Sequence, residues 1–249
     1  MLQKLLILVG YLVLVVFFIV TLAFTSNESK NVSCRNIEIE FRDNDIIKLD
    51  KNELIRLVKS ADKNLMGKRL SEVNTELIEK EVEKHQAILK SEVYKVVAKD
   101  SISYKGILAV KVKHRDPAVR IMSASGSYYL DENGGKIPVS ANYTADILVV
   151  TGHFTERFAK QQLLPFILFI KNNEFWKAQI EQVHIEKNGD VTLVPLVGDH
   201  LIEFGKLDNY QAKLRNMKAF YSQVLAKNNW NKYKTLSLKY NNQIVAKRR

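Results

Sequence analysis

From Leu5 to Phe24 the chain carries no charged residue. At about 1.5 Å rise per residue, a helix over this run reaches roughly 30 Å, one hydrocarbon thickness. A cleavable signal peptide has a shorter apolar region, about 7–15 residues, and then small residues at a cleavage site. This run ends in Thr21-Leu22-Ala23-Phe24, and Cys34 lies too far beyond it for a lipoprotein. The sequence therefore predicts a short cytoplasmic stub (1–4), a transmembrane helix (5–24) and a linker (25–31). Lys4 precedes the run, while Lys30 and Arg35 follow it, so charge orients it only weakly. Long C-terminal bodies translocate largely regardless of charge. The expected topology is a single type II span with the body outside the cell membrane.

The chain as a whole has a globular balance, 46% hydrophobic and 26% charged over 249 residues, enough for one large or two small domains. A single cysteine excludes an internal disulfide framework. Cys34 is expected half-buried at a strand start, with an intermolecular disulfide as its other use. Asn-x-Ser/Thr sequons begin at Asn27, Asn31 and Asn142 and matter only in a eukaryotic secretory route. The net charge of +11 is densest at Lys232, Lys234, Lys239, Lys247, Arg248 and Arg249. Nucleic acid is not the partner expected of a body outside the membrane. Anionic lipid headgroups or an acidic protein surface would answer the charge, and ordinary solvation explains most dispersed lysines.

Hydrophobic periodicity divides the body in two. Val32 to Phe41 alternates, with Ile37, Ile39 and Phe41 on one face. Asp50 can cap a helix bearing Leu54, Leu57 and Val58, and Glu53 resembles the second half of a capping box. A turn at Met66-Gly67 leads to a second helix, Thr75 to Lys84, with Leu77, Ile78 and Val82 as its stripe. Two strands follow, Val93 to Lys99 and Gly106 to His114. The order strand-helix-helix-strand-strand makes an α+β module (32–117).

The second part (118–249) reads as mostly antiparallel β with flanking helices. A hairpin joins Tyr128–Asp131 to Lys136–Val139 across Glu132-Asn133-Gly134-Gly135. Ile147 to Val150 reads as a buried strand, and Glu156 to Lys171 as an apolar helix kinked or restarted at Pro165. A meander follows: Gln179–Glu186, Val191–Val197 and Leu201–Phe204. An amphipathic helix runs from Asp208 to Ala226 with Leu214, Met217, Tyr221, Val224 and Leu225 on one side. The chain closes with an alternating strand through Leu236, Leu238 and Tyr240, continued or folded back as Gln243 to Lys247.

No chemistry stands out. His85, His114, His153, His184 and His200 lack metal-ligand spacing. Ser123-Ala124-Ser125-Gly126 is turn chemistry, not a nucleophile elbow, and no phosphate or dinucleotide fingerprint occurs. No catalytic residue, metal or cofactor is expected, and an enzyme is not.

The order of parts resembles the FtsQ/DivIB proteins of bacterial cell division, which carry a type II anchor, a POTRA domain and a β domain. The similarity rests on Val112-Lys113-His114-Arg115-Asp116-Pro117-Ala118, on Tyr128 to Gly135 and on Val150-Thr151-Gly152. It extends through Leu201-Ile202-Glu203-Phe204-Gly205-Lys206 and the closing run Leu236 to Val245. Many members have a long cytoplasmic tail, which is nearly absent before this span. The resemblance implies a septal, inner-membrane scaffold that binds FtsB/FtsL-like coiled-coil partners and other divisome proteins, and that helps control septal cell-wall synthesis. It also implies strand addition at the edge of the last strand, where Lys239, Tyr240, Gln243 and Ile244 are the expected contacts. Core packing would explain Tyr240 equally well, and solvation Lys239. A membrane-anchored POTRA adaptor or chaperone outside division is the alternative.

Overall fold

The computed structural model describes residues 9–21, 32–42, 46–99, 104–124, 126–227 and 230–249. Residues 9–21 form helix α1, with Val9 to Val20 exposed along it. Among the described residues no helix is long and apolar enough to cross a membrane. The ends of the expected span (5–8 and 22–24), the stub, the linker and the sequons at Asn27 and Asn31 lie outside them.

The body divides into two units, one of residues 1–44 with 49–114, the other of 45–48 with 115–249. In the first, β1 (Cys34–Phe41), α2 (Lys51–Ala61), α3 (Thr75–Glu83), β2 (Ile88–Lys99) and β3 (Tyr104–His114) follow in order. The sheet runs β1-β3-β2, with β1 parallel and β2 antiparallel to β3. Alternation places Ile37, Ile39, Leu108, Val110 and Val112 in the core beside Leu54, Val58, Ile78 and Val82. Asp50 caps α2 by accepting from the Asn52 and Glu53 amides, and Asn74 caps α3 through the Leu77 amide. Glu53 sits 3.7 Å from His85 Nε2.

Two expectations change here. Leu77 is 49% exposed, because the stripe of α3 is set by Ile78 and Val82, one turn apart. Cys34 is fully buried rather than half-buried. Burial raises its thiol pKa, and a disulfide to another chain is sterically closed.

The second unit is a nine-stranded sheet ordered β12-β11-β10-β9-β8-β7-β4-β5-β6. Its strands are β4 (Pro117–Ser123), β5 (Gly126–Asp131), β6 (Lys136–Pro138), β7 (Val149–Gly152), β8 (Ile180–Ile185), β9 (Val191–Pro195), β10 (Leu201–Gly205), β11 (Tyr233–Ser237) and β12 (Val245–Arg248). Most neighbours pair antiparallel; β4–β7, β7–β8 and β10–β11 are parallel. The β5–β6 turn is tied by Asp131 Oδ1, which accepts from the Asn133 and Gly135 amides at 2.9 and 2.6 Å.

The expected strand at Ile147–Val150 lies two residues later, with Ile147 and Leu148 half-buried ahead of it. Gly152 fixes that register: a Cβ there would sit 2.0 Å from the Ile185 carbonyl oxygen on β8. The strand predicted to reach Val197 ends at Pro195, and Leu196 and Val197 are exposed.

The apolar helix comprises α4 (Glu156–Phe158), a π-helical stretch at Ala159–Leu163, and α5 (Leu164–Lys171), with Pro165 in the first turn of α5. Proline offers no amide to the carbonyl one turn earlier, and the widened turn ahead of it accommodates the loss. A short α6 (Glu174–Gln179) leads into β8. The long amphipathic helix is α7 (Tyr210–Phe220), continued by a π-helical stretch at Tyr221–Leu225. Leu214, Met217, Tyr221 and Leu225 are buried, whereas Val224 is only half-buried. Phe166 of α5 meets Phe204 of β10 at 5.2 Å and Tyr210 of α7 at 5.5 Å between ring centroids. The two helices therefore close over the same part of the sheet.

Candidate partner-docking edge

A sheet edge can accept a partner strand only if its amides and carbonyls are free. The edge strand β6 has three residues, ends in Pro138, and has Tyr143 Oη bonded to the Pro138 carbonyl. In the first unit, Glu83 Oε1 accepts the Ser91 amide at 2.9 Å and Glu79 Oε1 the Val93 amide at 2.7 Å. Carboxylates from α3 thus occupy part of the β2 edge. β12 pairs with β11 on one side only and has no strand neighbour on the other among the described residues.

The core anchors this edge from below. Leu236 and Leu238 are buried, and Leu236 lies opposite Ile202 of β10. Tyr221 packs against Trp176, Trp230 and His200 at 5.5–5.8 Å between ring centroids. His200 Nε2 lies 3.0 Å from Tyr221 Oη, and its Nδ1 is buried without a well-aligned hydrogen bond. Burial lowers the pKa of His200, and the neighbouring Trp230 carbonyl offsets this only in part. At the chain end, the Arg249 guanidinium bonds the Asp199 carbonyl at 3.0 Å and lies 3.2 Å from its carboxylate.

The predicted contacts sit beside the edge strand, not in it. Strand β11 ends at Ser237, so Lys239, Tyr240, Gln243 and Ile244 occupy the connection in which the chain folds back to β12. Lys239 reaches across β10 to the β8–β9 turn, where its Nζ lies 3.1 Å from Asp190 Oδ2. Lys206 lies 3.1 Å from the other oxygen. Lys239, and then Lys206, hold the Asp190 carboxyl below its ordinary range, and Asp190 raises the Lys239 ammonium. The Lys239 stem runs over Gly205, whose φ is +76°; a Cβ there would come within 3.1 Å of Lys239 Cγ.

Tyr240 is 60% exposed, which removes core packing as its role. Its carbonyl accepts the Gln243 amide at 3.4 Å across a turn containing left-handed Asn242. Tyr240 and Gln243, with Asn209 and Asn216 on the α7 side, border a cleft of about 220 Å³. Ile244 is half-buried against the core. Val245, 48% exposed, begins the β12 edge, and Lys247 and Arg248, part of the terminal charge cluster, are exposed along it.

Residues 116–247, more than half of the chain, match the family described as FtsQ/DivIB, C-terminal related. The protein belongs to the FtsQ/DivIB family. Residues 27–100 match a POTRA-like domain. That match stops short of β3, which is nonetheless the central strand of the first unit. FtsQ/DivIB and POTRA domains are scaffold-type domains, and the family marks this as a cell-division protein. The comparison with curated proteins found no match. Among the described residues no group of three His, Cys, Asp or Glu side chains could hold a metal ion.

Proposed function

We propose that the protein is a non-enzymatic scaffold of the division septum that binds FtsB/FtsL-like coiled-coil partners and helps assemble the cell-wall synthesis machinery. The uncharged run 5–24 supports a single inner-membrane anchor with both units outside the cytoplasm. The observation that carries the binding reading is the open edge of β12, set against the blunted β6 edge and the carboxylates on the β2 edge. A partner strand added there gains affinity from main-chain hydrogen bonds and specificity from alternating side chains. Lys247, Arg248 and Arg249 favour acidic residues in that strand. Tyr240 and Gln243 flank it from the adjoining turn.

Photo-crosslinkers at Tyr240 and Val245 in cells test this reading. It expects capture of an FtsB/FtsL-like chain from both positions, and septal enrichment of a fluorescent fusion. Capture from neither, with even membrane distribution, would favour an adaptor outside division.

A further inference from the structure

The β1-β3-β2 sheet packs one face into its core and leaves the alternate residues on the other. Register sets the open-face charges in rows. Lys111 of β3 lies between Glu40 of β1 and Glu92 of β2. In the next row Lys90 lies opposite Lys113. Arg42 follows Phe41, the partner of Val112, and so stands on the other side of Lys113. Arg42, Lys90, Lys111, Lys113 and Glu92 line one shallow hollow. The nearby carboxylates are engaged: Glu92 lies 3.6 Å from Lys90, and Glu40 accepts the Tyr94 hydroxyl at 2.7 Å. The described residues supply no ion-pair partner to Arg42, Lys111 or Lys113. Like charges directly opposite on a sheet destabilise it, so the fold holds an arrangement that an external anion would relieve.

We propose that this row docks an acidic segment of a partner protein, whose Asp or Glu side chains supply the missing counter-charge. Three adjacent strands spread the cations over about 10 Å, a width suited to successive carboxylates rather than one small anion. The surface lies in the first unit and is independent of the β12 edge.

The test titrates a fluorescent Glu-rich peptide against the full chain in zwitterionic nanodiscs. The chain carries Lys247→Gln and Arg248→Gln, so that the terminal cluster does not compete. Lys113→Gln and Arg42→Gln should each weaken binding by about tenfold, while Lys227→Gln should not. Because it relieves repulsion, Lys113→Gln should also raise Tm by about 1–3 °C. Failure of the peptide to bind, or equal binding by Lys113→Gln, would overturn the proposal. So would binding of anionic vesicles, but not peptide, through Arg42 and Lys113.

Discussion

Lys239 Nζ lies 3.1 Å from Asp190 Oδ2, joining the connection before β12 to the β8–β9 turn. The lysine is 42% exposed and the aspartate 19%, so the pair is screened and contributes at most about 1 kcal/mol. Lys239→Gln should therefore lower stability by less than about 1 kcal/mol. Lys239→Glu would set a like charge against an acidic partner and should cost about 1–3 kcal/mol of partner binding without unfolding. Circular dichroism melts and partner titration on the same proteins check both. A chain that binds an FtsB/FtsL-like pair normally with Lys239→Glu places Lys239 outside the contact.

Acid should weaken the second unit through His200. Its folded pKa lies below the unfolded value of about 6.5, so the unfolded state binds the proton first. The contribution is complete above about pH 6.5, declines below that value, and is lost as pH falls through the lower folded pKa. His85, lowered mainly by burial, gives the first unit a slope of the same sign. Urea midpoints at pH 7.5 and 5 should show the decline, and His200→Gln should flatten part of it. An unchanged slope in that variant would exclude His200 as its source.

Helix α3 separates a true core residue from an apparent one. Ile78→Ala should lower stability by about 2–5 kcal/mol, because Ile78 is fully buried. Leu77→Ala should stay within about 0.5 kcal/mol, since Leu77 is 49% exposed. Denaturant titration of both variants distinguishes the stripe seen in sequence from the face that packs.

The β2 edge should become adhesive once its carboxylates are removed. Glu79→Ala leaves the Val93 amide without its charged acceptor and should cost about 1–3 kcal/mol. The double variant with Glu83→Ala should self-associate at concentrations where the parent does not. Sedimentation velocity reads this directly, and an unchanged distribution would show that these carboxylates do not protect the edge.

Local pattern determined much of this protein. Alternation in β1 and β3, the Asp50 cap, the Asn133-Gly134 turn and the stripe of α7 each follow from residues close in sequence, whose geometry is set by backbone sterics and a single buried face. The order of those elements was enough to expose the family resemblance. Tertiary structure decided what depends on distant neighbours. Gly152 sets the β7 register because the Ile185 carbonyl occupies the space of a side chain. Tyr240 is exposed because the chain turns back after Lys239, so the edge passes from β11 to β12. Lys239 meets Asp190 across 49 residues of chain, and Lys113 stands between two other cations only because three strands align. Such relations follow from which strands become neighbours, and hydrophobic periodicity along one segment carries no record of that.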